Sequence, residues 1–115
     1  MMDKIFITKR EIIQNIGDRK VVFFGAGNIC EKTIREFSNY KNQNSLILDN
    51  AKLSQNTKQN GLAVYNPEFI KNKKKDYFVI ITSTSFNEIN DQLKSLGFLP
   101  SLDFCVSPVL KDLKI

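Results

Sequence analysis

No histidine and no tryptophan occur in this chain of 115 residues, and only two cysteines do. The missing histidine removes the commonest metal ligand and the usual general base, and Cys30 and Cys105 are too few and too separated for a zinc set. Metal catalysis is therefore not expected. The two thiols read as packing residues, because free cysteine is among the most buried residue types and a reducing compartment gives no reason for a disulfide. No apolar run approaches the roughly 20 residues that a spanning helix needs. Met1-Met2-Asp3-Lys4-Ile5-Phe6-Ile7 has no apolar stretch ending in small residues, so no secretory signal is read and a cytoplasmic, membrane-free setting is expected. A Tyr-x-x-x-Lys pair is also absent: four residues beyond Tyr65 stands Phe69, and four beyond Tyr77 stands Ile81. The short-chain reductase site is missing with it, and no catalytic residue is assigned.

What is there is ordinary globular material. Hydrophobic residues make up 42% and charged residues 25%, which disfavours intrinsic disorder. The length fits one domain, 1–115, without room for a separate catalytic half. A net charge of +5 invites a nucleic-acid reading, but the lysines are spread along the chain. The one dense run, Lys71-Asn72-Lys73-Lys74-Lys75, falls between a helix and a strand, where a solvated connection is expected. With no aromatic-interleaved basic patch in the sequence, no nucleic-acid partner is expected.

Strand and helix signals alternate from end to end. A short helix from Thr8 to Ile16, with Thr8 as N-cap and Gly17 as stop, leads into the apolar run Lys20-Val21-Val22-Phe23-Phe24-Gly25, which suits a central strand buried on both faces. Asn28 to Tyr40 shows Ile29, Ile34 and Phe37 near helical spacing among charged residues. After a polar connection at Asn42 to Ser45 comes a second strand, Leu46-Ile47-Leu48-Asp49. Asn50 to Gly61 is polar and reads as a mobile loop or irregular turn. Leu62 to Tyr65 is a short third strand, followed by a brief helix Pro67 to Lys71 with Phe69 and Ile70 packing inward. Tyr77 to Thr82 is a second strongly apolar strand. Ser85 is expected to cap a helix with Phe86, Ile89, Leu93 and Leu96 on one face and Gly97 at its end. Asp103 to Val106 is the last strand, and Ser107-Pro108 opens a terminal helix. The alternation predicts a Rossmann-like three-layer α/β/α domain whose mostly parallel sheet has about five strands in the order 3-2-1-4-5.

One constellation carries chemistry. In Phe24-Gly25-Ala26-Gly27-Asn28-Ile29-Cys30 the first glycine permits a tight turn out of the strand, and the second lets backbone approach a phosphate. The following helix aims the amides of Asn28 and Ile29 at that anion. Asp49 follows at about the 20-residue interval expected of a carboxylate that binds ribose hydroxyls, with Asn50 beside it. Thr82 and Ser83 leave the fourth strand at the same edge, where their hydroxyls meet a ribose, phosphate or sugar or else shape the turn. The predicted binding set is thus Gly25, Ala26, Gly27, Asn28, Ile29, Asp49, Asn50, Thr82 and Ser83. Cys30 stands where the third glycine of Gly-x-Gly-x-x-Gly is found, a departure from the dinucleotide fingerprint. Lys52 is read as a solvated loop lysine.

Val22-Phe23-Phe24-Gly25-Ala26-Gly27-Asn28-Ile29, Leu48-Asp49-Asn50, Gly61-Leu62-Ala63-Val64-Tyr65-Asn66-Pro67, Val79-Ile80-Ile81-Thr82 and Leu96-Gly97-Phe98 together resemble a family of small bacterial Rossmann domains. These are the N-terminal nucleotide-sugar-binding domains of polysaccharide-biosynthesis sugar acetyltransferases and the N-terminal domains of related dehydratases. The resemblance implies a UDP- or CDP-linked sugar, or NAD(P), held at Gly25, Gly27 and Asp49. It also implies a glycan-biosynthesis enzyme as partner; the acetyl-transfer machinery of those relatives lies in a β-helix with a histidine, and this chain has neither. A non-catalytic nucleotide-sugar module is the leading expectation. Two alternatives stay open: a minimal NAD(P)-dependent oxidoreductase or dehydratase/epimerase-like domain completed by oligomerisation, and a regulatory domain with an empty crevice. A homodimer through a sheet edge or helix face is a further expectation.

Overall fold

A computed structural model describes residues 4–40 and 45–112. Its elements are α1 (Lys9–Ile16), β1 (Lys20–Phe24), α2 (Asn28–Glu36), β2 (Leu46–Leu48), β3 (Lys58–Gln59), β4 (Leu62–Tyr65), a 3-10 turn (Pro67–Ile70), β5 (Tyr77–Ile81), α3 (Phe86–Ser95), β6 (Phe104–Val106) and α4 (Pro108–Asp112). The polar connection expected from Asn42 lies outside the described residues as far as Asn44.

The sheet has six strands in the order β3-β4-β2-β1-β5-β6. All neighbours are parallel except β3, which runs antiparallel to β4. The five strands read from the sequence lie in the order expected of them, and β3 is an addition. Its origin is local: Asn60 and Gly61 both adopt positive φ (53° and 78°), the signature of a two-residue hairpin turn, and they fold Lys58-Gln59 back onto Leu62-Ala63. The segment predicted as a loop thus ends in a hairpin.

Strand alternation sorts the core into two layers. Val22, Phe24, Leu46, Leu48, Val79, Ile81, Phe104 and Val106 pack on one face with Ile89 and Leu93 of α3 and with Leu96 just after it. On the other face Val21, Phe23, Ile47, Val64, Phe78, Ile80 and Cys105 pack with Ile12 and Ile16 of α1 and with Cys30 and Ile34 of α2. Each fully buried Phe, Ile, Leu or Val adds roughly 1.5–3 kcal/mol of transfer free energy. The central pair, β1 and β5, is in register along all five residues, so the loops that leave their carboxyl ends start level with each other.

The caps are partly as expected. Thr8 and Glu11 form a reciprocal capping box at 3.0 and 3.1 Å, and these bonds hold the Glu11 carboxyl below its usual range. Ser85 precedes α3 but makes no side-chain cap; Ser83 Oγ instead accepts from the Ser85 N–H at 3.1 Å. Phe69 does not pack inward: it is 39% exposed and stacks on Tyr65, while Ile70 is fully buried. A 3-10 turn spaces successive side chains by about a third of a revolution, so only one of two adjacent residues faces the sheet. Helix α2 stops at Glu36, short of Tyr40. Among the described residues no helix is long and apolar enough to cross a membrane.

Candidate functional site

The crevice opens at the carboxyl ends of β1 and β5, whose connections lead to α2 and α3 respectively. The strand order reverses here, because the chain passes from β1 to β2 on one side and later to β5 on the other, and open α/β sheets bind ligands at such points.

Gly25 leaves β1 with φ +122°, and a Cβ on it would lie 2.9 Å from the Thr82 carbonyl oxygen and 3.0 Å from the Ser83 Cβ. Glycine is what allows the two loops to pass each other. Thr82 fastens them: its N–H donates to the Phe24 carbonyl at 2.8 Å and its hydroxyl to the Gly25 carbonyl at 2.6 Å. Gly27 has φ +151°, and a Cβ there would meet nothing within 4 Å. Its side-chain space is open crevice. No side chain caps α2, so the first-turn amides, those of Asn28 and Ile29 among them, are left for an outside acceptor.

Asp49 turns toward the glycine turn. Its Oδ2 accepts from the Ala26 N–H at 3.0 Å and its Oδ1 from the Ala51 N–H at 2.8 Å. A carboxylate offers about four lone-pair sites, so each oxygen keeps capacity for a ligand hydroxyl. The Ala26 amide, by contrast, is already engaged. Asn50 and Gln92 exchange two amide hydrogen bonds, at 3.0 and 2.9 Å, which tie the end of β2 to α3.

Two adjoining clefts make up the groove, and they meet at Ser83. The first, about 410 Å³, is lined by Ala26, Gly27, Asn28, Ile29, Thr82, Ser83 and Thr84 and contains no carboxylate. The second, about 340 Å³, is walled by Asp49, Asn50, Ser83, Ser85, Glu88 and Gln92, over a floor of Phe24 and Ile89. One half therefore offers helix-terminal amides and hydroxyls, the other two carboxylates and two amides. All nine residues of the predicted set come to this edge, eight of them lining the groove and Gly25 shaping its turn.

Residues 17–99 match the model of a protein family described as C2185-like, N-terminal. The chain belongs to the C2185-like N-terminal family. No curated protein matches it significantly. Among solved structures, the crystal structure of UDP-D-quinovosamine 4-dehydrogenase from Vibrio fischeri is similar to this C2185-like domain, with a TM-score of 0.59 and 20% identity. The match covers 83% of this chain and 82% of that one. At that identity the likeness shows a shared Rossmann-like fold.

Both cysteines of the C2185-like domain are free and buried. Burial pushes the Cys30 thiol up to about 11, outweighing a hydrogen bond with Thr82 that acts the other way, and Cys105 is raised further by burial alone. Cys30 fills the place of the third glycine and packs against the sheet face that α2 covers. Glu88, Gln92 and Ser85 are wall residues that reading the sequence missed. Their spacing held a signal: 85, 88 and 92 form a polar stripe beside the apolar stripe of α3.

Proposed function

We propose that this domain binds a nucleotide-sugar, UDP- or CDP-linked, along the carboxyl-edge groove, and that it serves glycan biosynthesis together with a partner enzyme. One observation carries the reading: the division of the groove into a carboxylate-free half at the α2 terminus and a half walled by Asp49 and Glu88. A diphosphate carries negative charge and is favoured where amides and a helix dipole face it. Ribose and sugar hydroxyls are donors, and carboxylates and side-chain amides are their natural acceptors. A nucleotide-sugar has both parts in one molecule. The similar fold of a UDP-D-quinovosamine 4-dehydrogenase supports the same choice of ligand class. On this reading the domain acts as a binding module.

Asn28→Asp tests this. Asn28 is exposed at the first position of α2, and a carboxylate there repels phosphate while leaving the fold intact. Calorimetry and thermal unfolding with UDP-glucose, CDP-glucose, NAD and NADP should show saturable binding of a UDP- or CDP-sugar. At 100 times its dissociation constant such a ligand adds about 2.7 kcal/mol. Asn28→Asp should weaken the affinity at least tenfold. Stabilisation by NAD or NADP alone would transfer the site to the oxidoreductase alternative, and a chain indifferent to all four ligands would have an empty crevice.

A further inference from the structure

Three of the lysines that the sequence disperses, Lys20, Lys58 and Lys73, are brought by the fold to a second groove, away from the glycine turn. Because the connection after β4 is a single 3-10 turn, part of the sheet face carrying Ala63 and Tyr65 is left bare. A cleft of about 350 Å³ lies there, bounded by Lys20, Lys58, Tyr65, Phe69 and Tyr77. Tyr65 and Phe69 are 38% and 39% exposed, and their rings stack in near-parallel planes at 4.7 Å and 12°. Lys73 lies over the Phe69 ring at 4.4 Å from its centroid. Among the described residues no carboxylate lines the cleft, and Lys20, Lys58 and Lys73 are in no ion pair. Glu68 and Asp76, next in sequence to Phe69 and Tyr77, stay off its lining.

We infer that this basic, aromatic groove binds single-stranded nucleic acid. An aromatic ring at the surface with lysines beside it matches what an unpaired strand presents, flat bases joined by a phosphate at every step. With Tyr65 stacked on one face of Phe69 and Lys73 over its ring, the far face of Tyr65 is where a base extends the stack, and Lys20 and Lys58 offer counter-charge along the sheet. A sequence pI of about 9.3 supplies the long-range attraction. Duplex DNA keeps its base faces stacked away from such a surface, and an acidic peptide has the charge without the rings.

The test is fluorescence anisotropy of the full chain with labelled oligo(dT) and oligo(U), from low to rising salt, with duplex DNA and polyglutamate as competitors. Binding should weaken with salt, and Tyr65→Ala should cost about tenfold in affinity while Tyr65→Phe keeps it. Lys58→Ala should reduce the salt slope by about one. Both positions are exposed, and circular dichroism checks that the variants fold. Asn28→Asp should leave oligonucleotide affinity unchanged, so failure of the nucleotide-sugar reading and failure of this one are told apart. The inference is overturned if no oligonucleotide binds at the lowest salt. Competition by polyglutamate as effective as by unlabelled oligonucleotide, with Tyr65→Ala without effect, would also overturn it.

Discussion

The two ends of β1 are satisfied in opposite ways. At the amino end Arg19 donates to the backbone carbonyls of Asn15, Ile16, Lys74 and Leu102 and to Asp103 Oδ1 at 2.7 Å, with its guanidinium over the Phe78 ring. Asp103 also accepts from the Leu99 N–H at 2.8 Å. At the carboxyl end the α2 amides lack a side-chain cap, Gly27 leaves open space, and the Asp49 oxygens keep lone pairs to spare. Side chains paired inside the protein, as Arg19 and Asp103 are, hold the fold together. An end with unmet hydrogen-bonding capacity on a rigid frame is prepared for something from outside.

The largest effect belongs to the closed end. The Arg19 and Asp103 side chains are only 17% and 10% exposed, so removing one partner leaves the other with little solvent to replace it. Arg19→Ala and Asp103→Ala should each cost about 3–5 kcal/mol in urea unfolding. Arg19→Lys should recover little, since an ammonium cannot reach acceptors spread around a planar fork. If the two ends differ as described, neither change alters nucleotide-sugar affinity in the protein that remains folded.

Gly25→Ala comes next, at about 3 kcal/mol, combining backbone strain at φ +122° with a clash against the Thr82 carbonyl. Gly17→Ala is its control: φ is +56° there, but a Cβ meets nothing within 4 Å, so about 1 kcal/mol is expected. Equal losses in the two variants would show that the loops at the open end do not depend on close approach.

Much of this was readable because local and tertiary preferences agree. The runs Val21–Phe24 and Phe78–Ile81 are strands whichever neighbours they find, since both faces are covered and every residue is apolar. The glycine turn was readable for the same reason, lying between a strand and an amphipathic helix. Arg19 was not. Its acceptors come from residues as far apart as Asn15 and Leu102, and no local pattern marks an arginine that will close a tertiary network. The β3 hairpin was missed although Asn60-Gly61 announced it, because the polar residues around it carry no alternating apolar pattern. The Tyr65–Phe69 stack was hidden because the apolar residues Phe69 and Ile70 look alike in sequence, and only the turn geometry separates them.

Asp49 sharpens the comparison from within the open end, for it is both a structural staple and a candidate ligand. Asp49→Asn replaces an acceptor facing an N–H by an amide that must present its NH₂ to one of the two backbone donors. A loss of about 1–2 kcal/mol is expected by urea unfolding, together with weaker nucleotide-sugar binding. Loss of binding at unchanged stability would assign the carboxylate to the ligand alone.

The smallest effect on stability separates the two ends most cleanly. Asn28→Asp places a negative charge at the amino end of α2, where the helix dipole favours it, so the free protein should gain about 0.5 kcal/mol. The same charge occupies the field that a diphosphate would use, so binding should fall while stability rises. At the other end a change to Arg19 or Asp103 cannot do this, because both side chains are already paired inside the protein and lose what they had. A variant that is more stable and binds less is the expected signature of hydrogen-bonding capacity held open for a ligand. If Asn28→Asp instead destabilises the protein, the α2 terminus is already satisfied internally and the two ends of β1 are alike.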